Sequence, residues 1–98
     1  MKIAFRDERL ALVRTDRAAD TRLPFPVIKA CRQKLVALEA APDEKTLQNW
    51  RSLRYRELDG EHDRLRSIQI DDRWEIVFEF EPKQSPPSIL IVGIHDNH

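Results

Sequence analysis

The C-terminus carries a cluster of titratable side chains, with His95, Asp96 and His98 inside four residues. Histidine titrates near neutral pH, and a neighbouring carboxylate can orient or charge it, so these groups are suited to proton transfer. A metal site that adds His62 is disfavoured, because two histidines three apart at a strand end face opposite sides and no cysteine pair supports them. The alternative for this segment is a frayed polar tail.

The middle of the sequence concentrates arginine. Six of the seven basic residues between positions 42 and 75 are arginines, namely Arg51, Arg54, Arg56, Arg64, Arg66 and Arg73. The guanidinium is a planar fork of donors that matches phosphate oxygens, which the point charge of lysine does not. Arg54 and Arg56 share one face of a strand, and so do Arg64 and Arg66. If both pairs face the same side, they form a compact phosphate-binding surface; otherwise the interleaved acidic residues of 57–63 neutralise them on a solvated hairpin.

Length and composition limit the class of protein. A chain of 98 residues is predicted to be one domain, residues 1–98. It holds 17 basic and 17 acidic side chains, and this zero net charge excludes a nonspecific nucleic-acid binder with a basic field over its whole surface. Residues 1–41 hold nine basic and five acidic residues, a net charge of +4, whereas each of 42–75 and 76–98 has a net charge of −2. Any anion site is therefore local.

The pattern of the chain predicts an α+β fold. Residues 2–5 alternate as a short strand, and Asp7 can cap a helix that carries Leu10 and Val13. A second helix begins at Pro24 or Pro26 and ends before Pro42, with a buried stripe of Ile28, Cys31, Leu35 and Leu38. Asp43 caps a further short turn that carries Leu47 and Trp50. Two to three helices are thus expected to pack on a sheet.

From residue 52 onward the hydrophobic period changes from 3.6 to 2. Residues 53–58 and 64–70 predict a hairpin, Asp71-Asp72 a tight turn, and residues 73–80 a strand with Trp74 and Phe78 on one face and Glu75 on the other. Residues 89–94 are apolar on both faces, as in a central strand. The sheet is therefore predicted to be a C-terminal antiparallel meander. Trp74 and Tyr55 are candidates for stacking on bases, with the core as the better place for Trp74.

The remaining counts bear on compartment and cofactors. Cys31 is the single cysteine and lies in an apolar stripe, which is typical of a buried small hydrophobe. The sequence has no signal peptide and no run of 18 apolar residues, so we expect a cytoplasmic protein that does not bind a membrane. No glycine-rich phosphate loop is present, and no cofactor is expected.

Four stretches follow one another in the second half of the chain: LDG at 58–60, SIQI at 67–70, RWEIVF at 73–78 and DNH at 96–98. In order and spacing they resemble the RelE/ParE superfamily of toxins, in particular the HigB-like branch of plasmid maintenance system killer proteins. There the stretches read approximately LKG, SIRI, QWRIxF and DYH. Residues 30–50 fit the helical region of the same family.

The resemblance implies a toxin of a type II toxin–antitoxin system that enters the ribosomal A site and cleaves mRNA. A cognate antitoxin, usually with a helix-turn-helix domain, holds such a toxin inactive, and no free small-molecule substrate is involved. In the reaction the ribose 2′-hydroxyl attacks the adjacent phosphodiester, which requires a base, cations and an acid. His98 and Asp96 match the terminal acid/base positions, and Arg56 matches a basic position before LKG.

Three positions depart from the family pattern: Asp59 replaces a lysine, Glu75 an arginine and Asn97 a tyrosine. Our hypothesis is that Arg56 and Arg73 act at the catalytic site and Arg54, Arg64 and Arg66 bind substrate, with Glu75 orienting one of the arginines. Arg73 is expected on the same sheet face as Glu75. Two alternatives stay open: a toxin of the ParE kind that blocks a partner such as DNA gyrase without catalysis, and a relic that only binds its antitoxin.

Overall fold

The computed structural model describes residues 1–58 and 64–96. Its strands are β1 (Lys2–Phe5), β2 (Arg56–Glu57), β3 (Leu65–Gln69), β4 (Trp74–Glu81) and β5 (Ser88–Asp96). Its α-helices are α1 (Glu8–Ala11), α2 (Phe25–Ala40) and α3 (Glu44–Asn49), joined by short 3₁₀ turns at Leu12–Arg14, Ala18–Thr21 and Arg51–Leu53. The predicted α+β fold, with a short first strand and helices before a sheet, is confirmed.

Local capping chemistry sets the ends of the helices. The Asp7 carboxylate accepts from the backbone N–H of Arg9, and the Asp43 carboxylate accepts from that of Thr46, so each short helix has a satisfied first turn. Pro26 lies in the first turn of α2, where its missing N–H costs nothing. The predicted buried stripe of α2 is confirmed, since Ile28, Cys31, Leu35 and Leu38 are all buried.

The five strands form one mixed sheet in the order β1-β5-β4-β3-β2. The antiparallel meander of β2 to β5 is present, and β1 adds to its far edge parallel to β5. The sequence did not predict this parallel pairing. It places β5 between two hydrogen-bonded neighbours, β1 and β4, as expected for a central strand.

One face of the sheet packs on the helices, and none of the helices in residues 1–58 and 64–96 supplies a core for the other face. Ile68, Ile76, Phe78 and Phe80 join the buried cluster that α2 and α3 supply with Leu35 and Leu47, among others. Trp74 packs against that cluster too, which confirms the core placement. The alternate residues of β4, namely Glu75, Val77, Glu79 and Glu81, point the other way, and we call this side the outer face.

The hairpin is shorter than predicted. Only Arg56–Glu57 forms β2, because residues 51–53 make a 3₁₀ turn and Arg54 adopts a left-handed backbone with φ 46° and ψ 51°. The connection 59–63 lies outside the described residues. The Asp71 turn forms as expected, with the Asp71 carboxylate accepting from the backbone N–H groups of Arg73 and Trp74. Across residues 1–58 and 64–96, no helix is long and apolar enough to span a membrane.

Candidate functional site

The outer face gathers polar side chains near one end of the sheet. The strand register places Glu75 on β4 directly between Gln69 on β3 and His95 on β5. In the next row, Val77 lies between Ser67 and Gly93, and Arg56 on β2 lies beside Ser67. Directly opposed residues on one face are close enough for their side chains to interact.

Arg56 crosses β3 to reach this row. Its Nε donates to the Ser67 hydroxyl at 3.1 Å, and a terminal nitrogen donates to the Glu75 carboxylate at 3.3 Å. Glu75 is only 7% exposed although it lies on the outer face, whereas the Arg56 side chain is 60% exposed. The pair therefore holds a buried carboxylate beside a cation that solvent can reach. This contact gives Glu75 the arginine partner that the hypothesis expected, and the partner is Arg56.

A β-bulge brings His95 to the same face. The pairing of β4 with β5 steps from Val77–Gly93 to Phe78–Ile91, so Val92 is the extra residue. Ile89 and Ile91 face the core before the bulge and Ile94 faces it afterwards. Without the bulge, strict alternation from Ile91 would turn His95 toward the core. The bulge thus sets His95 opposite Glu75.

Gly93 makes room for the His95 ring. A β-carbon at position 93 would lie 2.1 Å from Nε2 of His95, so any side chain there would require the imidazole to move. The absent side chain therefore lets the imidazole lie back along β5 on the outer face. His95 is exposed.

Arg73 does not lie at Glu75. It precedes β4 in the Asp71 turn, and its guanidinium donates to the Asp96 carboxylate at 2.7 Å. Asp96 stands opposite Trp74 at the end of β5. The expectation that Arg73 replaces the missing arginine beside Glu75 is therefore wrong. The structure instead brings together two of the residues assigned to catalysis, Arg73 and Asp96, in one ion pair.

Arg66 lies on the helix side of the sheet. The register pairs Arg66 with Glu57 and Ser67 with Arg56, so Arg66 and Arg56 face opposite sides. Arg66 Nε donates to Glu44 at 3.1 Å, and its side chain is only 13% exposed. Tyr55, which packs on the core, donates to the same carboxylate. The expected single surface of Arg56 and Arg66 does not form.

The other two arginines assigned to substrate also lie apart from Glu75. Arg64 pairs with Glu81 at 2.5 Å and lines a cleft of about 510 Å³ together with Ser88 and Leu90. Glu81 is six residues beyond Glu75, about 20 Å along β4. Arg54 follows the 3₁₀ turn and is exposed. The predicted arginine surface is therefore divided among separate places in the fold.

Several predicted positions lie outside the described residues: His98 and Asn97 at the C-terminus, and Asp59 and His62 in the 59–63 connection. Within the described part of the chain, no group of three or more histidine, cysteine, aspartate or glutamate side chains could hold a metal ion.

The arrangement on the outer face has a definite chemical capacity. A carboxylate sheltered from water can accept a proton, and an exposed guanidinium beside it can bind a phosphate oxygen. Sequence reasoning identified Arg56, gave Glu75 only an orienting role, and grouped His95 with the C-terminal candidates for proton transfer without placing it beside Glu75. The burial of Glu75 had no signal in the alternating pattern, which predicts a solvated position. The sequence pattern also does not indicate the β-bulge that turns His95 to the outer face.

Comparison with known proteins concerns the fold. No family model matches the sequence, and no curated protein is similar to it. Six chains of solved structures match, among them the YoeB/ParE toxin from Agrobacterium tumefaciens, with a TM-score of 0.58, 10% sequence identity and coverage of 100% of both chains. At this identity the similarity concerns architecture, and the chain has the α+β fold of a YoeB/ParE toxin.

Proposed function

We propose that the protein is the toxin of a type II toxin–antitoxin pair and a HigB-like, ribosome-dependent mRNA endoribonuclease. The observation that carries this proposal is the buried Glu75 carboxylate in contact with Arg56 on the outer face of the sheet. The fold shared with a YoeB/ParE toxin and the sequence resemblance support the same class. We also propose that the protein acts in the cytoplasm.

In the proposed reaction, Glu75 is the base. It removes the proton of the ribose 2′-hydroxyl, the 2′-oxygen forms a bond to the adjacent phosphorus, and the bond from phosphorus to the 5′-oxygen breaks. Arg56 binds a non-bridging phosphate oxygen as negative charge develops. His98, assigned by the resemblance, donates the proton to the departing 5′-oxygen. The products are a 2′,3′-cyclic phosphate and a 5′-hydroxyl.

The Arg73–Asp96 pair has a positioning role in this proposal. Asp96 accepts from Arg73 at 2.7 Å, so the ion pair holds the end of β5 against the start of β4. That strand end carries His95 and leads directly into His98. Loss of either charge is expected to misplace the acid while leaving Glu75 and Arg56 together.

The test of the class is induced expression in bacteria with two readouts. Mapping of mRNA 5′ ends should reveal rapid cleavage of translated messages, with 5′-hydroxyl termini and no SOS response. Growth arrest with intact mRNA and an SOS response would contradict the nuclease assignment. Absence of arrest from a folded protein would indicate a relic that only binds its antitoxin.

A second candidate is the ParE-type toxin that blocks a partner such as DNA gyrase. One observation favours it: Arg56, Arg64, Arg66 and Arg73 each contact a carboxylate. An arginine whose guanidinium is already paired with a carboxylate binds a phosphate group less strongly than an unpaired arginine does. The two readouts above separate this candidate from the nuclease.

The proposed partners are the ribosome with its mRNA and a cognate antitoxin, a helix-turn-helix protein. A surface suited to a protein partner is the exposed side of α2, where Phe25 and Val36 are exposed apolar groups beside Lys29. Exposed apolar residues ringed by charge are typical of protein interfaces. A short helix-turn-helix protein encoded beside this one should co-purify with it.

A further inference from the structure

We propose that Trp50, Arg51 and Arg54, which we call the Trp50 corner, form an RNA-contact surface separate from the Glu75 site. Trp50 would stack on an unpaired base, and the two arginines would bind the flanking phosphates. The inference rests on the proposed function for its biological setting, since that function brings the chain to mRNA and ribosomal RNA.

Trp50 is held on the surface instead of in the core. It ends α3 and is 44% exposed, although Leu47 and Leu53 on either side of it are fully buried. Its backbone is fixed, because its N–H donates to the Leu47 carbonyl and its own carbonyl accepts from the N–H of Leu53. The turn therefore presents a large aromatic side chain from an anchored backbone. Such a side chain is a platform on which a base can stack.

The arginines of the corner differ from those of the sheet. Within residues 1–58 and 64–96, the side chains of Arg51 and Arg54 form no ion pair, whereas Arg56 and Arg73 each contact a carboxylate. The chain has no net charge, so positive charge available to an anion has to be local. Guanidinium groups match the geometry of phosphate oxygens. The corner supplies two of them in four residues.

The backbone at Arg54 supports a role beyond packing. Its φ of 46° and ψ of 51° lie in the left-handed region, where glycine or asparagine would be less strained than arginine. The side chain is exposed and fills no core position. The position therefore presents an exposed cation from a strained backbone, and strained backbone is found preferentially at functional sites.

The surroundings of Trp50 favour RNA over a protein partner. The exposed neighbours in the chain are polar: Gln48, Asn49, Arg51, Ser52 and Arg54. A protein interface buries an apolar centre of several residues, and the exposed apolar groups Phe25 and Val36 lie on α2 instead. A single aromatic ring among cations is the usual composition of a single-strand contact.

The corner adjoins Arg56 of the proposed catalytic site along the chain. Arg54 is two residues before Arg56, so their Cα atoms are at most about 7 Å apart. An RNA strand whose phosphate lies on Arg56 can therefore extend onto Arg54. The corner would then select and hold RNA beside the scissile phosphate.

The experiment measures binding without requiring cleavage. A fluorescein-labelled 12-nucleotide single-stranded RNA is titrated with the purified chain by anisotropy, and binding to purified ribosomes is measured by co-sedimentation. We compare Trp50→Ala, the double variant Arg51→Gln/Arg54→Gln, and the control Lys2→Gln/Lys83→Gln, which also removes two exposed positive charges. Thermal unfolding checks that each variant is folded.

We expect Trp50→Ala to weaken binding to the free RNA, to the ribosome or to both about tenfold. The double variant should reduce the slope of log K against log salt by about 1.4, from two phosphate contacts at about 0.7 each. The control should keep the parent's affinity within about twofold. Weakening only of free RNA identifies mRNA as the ligand, and weakening only of ribosome binding identifies ribosomal RNA.

Unchanged affinity and salt slope in folded variants would overturn the proposal, as would equal binding of an acidic polypeptide such as poly-glutamate. The experiments distinguish a failure of the Trp50 corner proposal from a failure of the proposed function. If messages are cleaved in cells but the corner variants bind normally, only the corner proposal fails. If the corner variants lose binding but no message is cleaved by the parent, only the nuclease proposal fails.

Discussion

The side chain of Arg56 on β2 crosses one strand and meets the buried carboxylate of Glu75 on β4 at 3.3 Å. The Ser67 hydroxyl on the intervening strand accepts from the same guanidinium at 3.1 Å. Three strands are thereby joined on the outer face of the sheet. This relationship suggests how a chain with no net charge can present a base and a cation to one phosphate.

Replacement of Arg56 by lysine tests the fork geometry of that contact. A lysine ammonium has three N–H donors, but all of them radiate from one nitrogen, so it lacks the planar fork that spans Ser67 and Glu75 with separate nitrogens and leaves further donors for phosphate. We expect Arg56→Lys to abolish growth arrest almost as fully as Arg56→Ala, although the charge is kept. The measurement is the rate of mRNA cleavage after induction at equal protein level. Full activity of the lysine variant would show that charge alone is sufficient.

Gly93→Ala is expected to move His95 without unfolding the sheet. The new β-carbon would meet the imidazole, which can rotate away, and alanine is favoured over glycine by the chain entropy of the unfolded state. The free energy of unfolding should change by less than about 1 kcal/mol. The ring resonances of His95 in an NMR spectrum should shift. Val92→Ala, at the neighbouring bulge position, is the control that adds no atom near His95, and unshifted His95 resonances in Gly93→Ala would contradict the arrangement.

Glu44 is expected to matter for stability through Arg66 and Tyr55. Glu44→Ala leaves the mostly buried Arg66 guanidinium without its 3.1 Å partner and removes the acceptor of the Tyr55 hydroxyl, at a cost of about 1–3 kcal/mol. The matched control is Glu57→Ala, since Glu57 is exposed and lies 3.6 Å from Arg66. That variant should cost less than about 0.5 kcal/mol. Urea unfolding of both variants gives the comparison, and equal costs would show that Arg66 is not anchored by Glu44.

The Cys31 thiol is expected to be unreactive in the folded protein. Burial raises its pKa from 9.0 to about 12, with the nearby Arg14 acting weakly in the opposite sense. A thiol reagent at pH 8 should label the chain only after unfolding, because reaction requires the thiolate. The raised pKa also means that the folded state holds this proton more tightly. Its contribution to stability is complete below pH 9 and is lost as the pH rises through 12. Rapid labelling of the native protein would contradict this placement.

Much of the fold followed from the sequence because its signals are local. The spacing of Leu35 and Leu38 marks the buried stripe of α2, and the alternation of Ile76 and Phe78 marks the inward face of β4. The parallel pairing of β1 with β5 is a contact between the two ends of the chain, for which no local pattern exists. The sequence therefore did not predict that β1 forms one edge of the sheet.

The sequence predicts which residue types the site contains but not which of them lie together. Arg56 lies in β2 and Arg66 in β3, and whether they share a face depends on the register between the two strands, which pairs Arg56 with Ser67 and Arg66 with Glu57. The face of His95 depends on a bulge at Val92 that leaves no mark in the alternation. Contacts decided by register or by a bulge require the three-dimensional structure.

Glu75 is proposed to act as the general base, and this role is tested by the replacement Glu75→Gln with Glu79→Gln as the matched control. Glu79 lies on the same face of the same strand and also pairs with an arginine, Arg6 at 2.5 Å. The measurement is the mapping of mRNA 5′ ends after induction of each folded variant at equal level. We expect Glu75→Gln to reduce cleavage at least about 100-fold, as for loss of a general base, whereas Glu79→Gln should cleave like the parent. Undiminished cleavage by Glu75→Gln would contradict this role.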